Sequence, residues 1–115
     1  MQSPAHIAVA YYKAMAAKDI NTLAHLLAPE VTFLSPLAKT VGKDAVIDAA
    51  SKFMNFFTAL TIRTHFESNT QAMVIYDVQF PEPIGMVRTG ALVTIHDGLI
   101  STCELFFDAR PFVQK

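Results

Sequence analysis

Apolar residues along this chain follow two different periods, and the change between them divides it. From Ile7 to Phe57 they recur at helical spacing, and from Leu60 to Phe106 they alternate every second residue. Ser3-Pro4 reads as a helix start, with Ser as the cap and Pro at the first helical position, where its missing N–H costs nothing. Ile7, Ala10, Tyr11, Ala14 and Met15 then form one apolar face. Asp19 is placed to cap a second helix bearing Leu23, Leu26 and Leu27, which Pro29 is expected to stop. Val31 to Leu34 reads as a short strand ended by Ser35-Pro36. Gly42 opens a third helix, with Asp44 in its first turn and an inner face of Val46, Ala50, Phe53 and Phe57.

Beyond Phe57 the alternation predicts four strands. Leu60 to Glu67 and Gln71 to Phe80 are joined by the turn-prone Ser68-Asn69-Thr70, and Pro81-Glu82-Pro83 breaks the second. The last pair is the firmest: Met86 to Ile95 and Leu99 to Asp108 flank Asp97-Gly98, a dipeptide suited to the positive φ angles of a tight hairpin turn. Arg110-Pro111 is expected to end regular structure. Helices at one end of the chain and meandering strands at the other predict an α+β fold, three helices packed on one face of a curved sheet.

Composition narrows the functional classes. The 115 residues suit a single domain spanning 1–115, and 52% of them are apolar against 17% charged. So large an apolar share predicts a lined cavity, a subunit interface, or both. A formal charge of −1 without a basic cluster argues against nucleic acid. Cys103, the lone cysteine, leaves no internal disulfide, and no run approaches a membrane span. The default expectation is a cytoplasmic protein with no membrane partner. His6, His25, His65 and His96 lack ligand spacing, so no metal is expected, and there is no glycine-rich phosphate loop for a nucleotide cofactor.

The order of these pieces resembles the nuclear transport factor 2-like superfamily, which includes SnoaL-like polyketide cyclases and ketosteroid isomerases. The resemblance runs from about His6 to Asp108 and rests on YYKAMAAKDINTLAHLL, VTFLSP, VGKDAVIDAA and HDGLISTCELFFD. It implies a cone-shaped α+β barrel, an apolar pocket between sheet and helices, and dimers formed through the outer sheet face. Set beside the isomerases, the helix-one tyrosine falls on Tyr11. Their aspartate base falls on Ser35, and their second oxyanion donor falls near Ala91. One catalytic group of three survives, which argues against steroid isomerisation by that mechanism.

Alternation combined with the resemblance predicts the pocket wall. Val74, Tyr76, Val78 and Phe80 share an inward face, as do Val87, Thr89, Ala91, Val93 and Ile95. On the last strand Ile100, Thr102, Glu104, Phe106 and Asp108 are expected inward, with Ser101, Cys103, Leu105 and Phe107 outward. The expected ligand contacts are therefore Phe33, Ser35, Phe53, Phe57, Tyr76, Val78, Phe80, Ala91, Thr102 and Phe106. Glu104 is the candidate acid or base, because an apolar concavity raises a carboxyl pKa; the alternative is a place at a strand edge or a structural pair with Tyr11 or Arg88. Tyr11 is the candidate donor to a carbonyl. For Tyr76 the competing reading is core filling. Two functions fit: a protein binding a small apolar or aromatic molecule, with cofactor-free isomerase or cyclase chemistry through Glu104 and Tyr11, or a non-catalytic homodimeric interaction module.

Overall fold

Ser3 and Pro4 do what their chemistry dictates. The Ser3 hydroxyl accepts from the His6 amide, and Pro4 opens helix α1, Pro4–Ala16. The computed structural model describes residues 2–113. Asp19 caps α2, Ile20–His25, by accepting from the Thr22 amide and hydroxyl. The second helix is shorter than the leucine spacing predicts. Leu27 and Pro29 already belong to strand β1, Leu27–Leu34. The ladder between β1 and the last strand shifts register between Leu27 and Thr32, and that irregularity admits a proline. A three-residue strand β2, Lys39–Val41, folds back on β1 after the Ser35 turn and has no counterpart in the alternation pattern. Gly42, at φ 94°, then leads into α3, Lys43–Met54.

Four long strands follow: β3, Ala59–Glu67; β4, Gln71–Gln79; β5, Met86–His96; and β6, Leu99–Phe106. They form one sheet in the order β2-β1-β6-β5-β4-β3, antiparallel except where β1 meets β6. Asp97 and Gly98 take the expected positive φ values, 52° and 77°, between β5 and β6. A final helical turn, α4, Arg110–Val113, lies where regular structure was expected to end. The fold is the expected curved α+β sheet with helices on its inner face. Two long-range contacts secure it: Glu67 accepts from the Ala5 amide at the start of α1, and Lys18 donates to the Phe57 carbonyl while lying over that ring.

The inward faces of β4 and β5 are those predicted. Val74, Tyr76, Val78, Phe80, Val87, Thr89, Ala91 and Val93 are all buried. On β6 the prediction fails beyond Ile100. Thr94 faces Thr102 but Ile95 faces Ile100, so Ser101 is an extra residue, a β-bulge. Its hydroxyl bonds the Thr94 carbonyl at 3.2 Å. Ile100 and Cys103, three residues apart, are both buried, which strict alternation forbids and one bulge permits. Past Ser101 every side chain changes face. Cys103 pairs with inward Val93 and Leu105 with inward Ala91, whereas Glu104 pairs with Leu92 on the outer face. Thr102, Glu104 and Phe106 therefore lie outside the cone, and Leu105 and Phe107 lie inside.

The bulge gives a direct test in urea unfolding. Ser101→Ala removes one hydrogen bond and is expected to cost about 1 kcal/mol. Deleting Ser101 forces Glu104 inward or unzips the strand, and is expected to abolish the cooperative transition. A deletion variant as stable as the alanine variant would contradict this assignment.

Candidate functional site

The sheet's inner face, α1 and α3 border two half-open chambers that share part of their walls. Tyr11, Tyr12 and Met15 from α1 line the first, of about 250 Å³, with Phe33 from β1, Val46, Ala50 and Phe53 from α3, and Tyr76 from β4. The second, of about 270 Å³, is lined by Val78 and Phe80 from β4, Val87 and Thr89 from β5, and Leu105, Phe107 and Phe112 at the chain's end. Ser35, Phe53, Tyr76 and Leu105 border both. Among the described residues no Asp, Glu, His, Lys or Arg lines either chamber. The site is apolar and aromatic, with a few neutral hydroxyls.

Three tyrosines hold most of that polarity. The Tyr11 and Tyr12 rings meet edge to face at 4.9 Å, and Tyr12 lies 4.5 Å from Tyr76. The Tyr12 hydroxyl shares a 3.3 Å hydrogen bond with the Cys103 thiol. The Tyr11 hydroxyl is fully buried and has no partner among the described residues. Burial is the leading cause that raises the pKa of all three phenols, and the nearby Cys103 adds to it. Burial also pushes the Cys103 thiol up to about 12. At neutral pH these groups donate or accept hydrogen bonds but carry no charge.

Of the residues expected from the sequence, Tyr11, Phe33, Ser35, Phe53, Tyr76, Val78 and Phe80 border the chambers. Phe57 and Ala91 are buried but line neither chamber. Glu104, Thr102 and Phe106 are removed from the cavity by the bulge, so Glu104 has no access to a ligand there. Ser35 borders the cavity, yet its hydroxyl is committed to a turn, accepting from the Leu37 and Ala38 amides at 3.1 and 3.2 Å. Sequence reasoning missed Tyr12, Leu105, Phe107 and Phe112. Tyr12 sits one position round the helix from the assigned stripe, so a wider apolar face would have found it. The signal for Leu105 and Phe107 was inverted by the bulge, and Phe112 lies past the predicted end of structure.

The family model of the SnoaL-like domain matches residues 8–102. This chain belongs to the SnoaL-like domain family. No curated protein matches it. Among solved structures, the SnoaL-like chain is similar to a protein from Kribbella flavida, at 26% identity over 95% of this chain and 89% of that one, with TM-score 0.87. It also resembles a steroid delta-isomerase from Pseudomonas aeruginosa, at 18% identity over 91% and 79% of the two chains, with TM-score 0.78. A third neighbour, from Catenulispora acidiphila, has a ketosteroid isomerase-like fold and was solved in complex with trimethylamine; it is 16% identical over 93% and 88%, with TM-score 0.76. The chain thus has the nuclear transport factor 2-like cone fold.

Proposed function

We propose that this SnoaL-like domain binds a small, uncharged, largely apolar or aromatic molecule that presents one hydrogen-bond acceptor to Tyr11. Tyr11 lines an uncharged aromatic cavity, and its buried hydroxyl, without a partner among the described residues, carries this reading. A buried donor without a partner destabilises the protein by about 1–3 kcal/mol, and a ligand carbonyl would remove that penalty. Apolar lining with a few convergent polar groups is the usual make-up of a small-molecule site. A steroid delta-isomerase among the neighbours acts on a largely apolar molecule in the same fold. Because neither chamber holds a carboxylate or imidazole among the described residues, proton transfer by Glu104 forms no part of the proposal.

The test compares 2-acetylnaphthalene with 2-isopropylnaphthalene, which has similar shape but no acceptor, by calorimetry. Wild type is expected to favour the ketone at least about fivefold, as one hydrogen bond implies, and Tyr11→Phe to lose that preference. Equal affinity for both compounds in wild type would overturn the reading.

A second reading concerns the outer face and is compatible with the first. Phe66 and Phe106 are 64% and 48% exposed there, beside Met73, Ile75 and Leu92. Such a patch suits pairing of two copies of this chain. Sedimentation equilibrium is expected to give the dimer mass for wild type and the monomer mass for Phe66→Glu. A wild-type monomer at tens of micromolar would remove this reading.

A further inference from the structure

The segment that follows β6 forms part of the wall of the second chamber, which is half open beside the exposed Leu37 and Phe56. Phe112 packs edge to face on Phe80 at 5.1 Å and on Phe107 at 5.5 Å, and its ring forms part of the chamber wall. Among the described residues, the hydrogen bonds of 108–113 stay within that segment. Arg110 binds Asp108 through its amide and guanidinium, and the Phe112 amide donates to Ala109. The Asp108–Arg110 pair, which holds the Asp108 carboxyl at about 2, stiffens the turn without tying it to the sheet. Aromatic contacts pack this segment against the body. They are non-directional and separable, unlike a strand ladder.

The chamber behind it differs in kind from the first. Its walls are hydrocarbon apart from the edges of Tyr76, Thr89 and the committed Ser35. We propose that the second chamber is the subsite for an apolar arm of the ligand, and that Phe112 is the displaceable door that sets how long that arm can be. This rests on the reading that Tyr11 binds the ligand's acceptor in the first chamber. The ligand class is then an uncharged molecule with its acceptor at one end and an unbranched or fused-ring hydrocarbon at the other.

Straight-chain methyl ketones from 2-hexanone to 2-dodecanone, titrated by calorimetry, read the arm length directly. Burying each further methylene raises affinity about fourfold. In wild type the increase is expected to stop where the chain meets Phe112, and in Phe112→Ala to continue for several more carbons. Should the alanine variant fail to fold, Phe112→Leu serves, with a smaller extension. Identical chain-length profiles in wild type and variant would overturn the door while leaving the Tyr11 reading intact.

A ligand-free arm covers the case in which no ketone binds and the cavity reading itself fails. The chain has no tryptophan, so Phe112→Trp introduces a single reporter. Its emission is expected to be blue-shifted and several-fold less quenched by acrylamide than free tryptophan. Quenching equal to that of free tryptophan would show that the chamber is not closed there, and would overturn the proposal.

Discussion

The extra residue at Ser101 is the constraint on which the functional face of this protein depends. Ile100 has to pack inward beside Leu27, and its amide donates to the Leu26 carbonyl, while Cys103 has to reach Tyr12 across the cone. Two inward residues three apart cannot share a face of a regular strand. The bulge resolves the conflict and carries Leu105 and Phe107 into the cavity and Glu104 out of it. The absence of charge in the chambers, on which the binding proposal rests, follows from that one insertion.

Within the cavity, stability and binding pull in opposite directions at a single atom. Tyr12 is satisfied by Cys103, but Tyr11 is buried against Tyr12 and Phe33 with its hydroxyl unmatched among the described residues. Phenylalanine would fill nearly the same volume without that penalty. Retaining an unmatched donor in an otherwise apolar site is the pattern expected where a ligand supplies the partner, since functional sites are where local stability rules are broken.

Much of the architecture was legible because it is governed locally. The Ser3-Pro4 start, the Asp19 cap and the Asp97-Gly98 turn each act within a few residues, and each appears as its chemistry requires. What escaped was decided at longer range. Pro29 ends a helix by local rules, yet it is absorbed into β1 where the ladder with β6 is irregular. Strand β2 exists because the Ser35 turn folds back on β1, and α4 because Phe112 finds Phe80 and Phe107. In the candidate site, Phe53 was readable from periodicity, and Tyr11 and Tyr76 from periodicity together with the family resemblance. The β6 residues were not, because nothing in Ile100-Ser101-Thr102-Cys103 marks which residue is extra.

The central claim, that the Tyr11 hydroxyl lacks a partner until a ligand provides one, is tested most directly by the melting temperatures of ligand-free Tyr11→Phe and Tyr12→Phe. Removing an unmatched buried hydroxyl should leave stability unchanged or raise it, whereas removing the matched one on Tyr12 should lower it by about 1 kcal/mol. With both variants folded, the account predicts Tyr11→Phe at or above wild type and Tyr12→Phe below it. A Tyr11→Phe variant destabilised as much as Tyr12→Phe would show that the hydroxyl already has a partner, and would contradict the account.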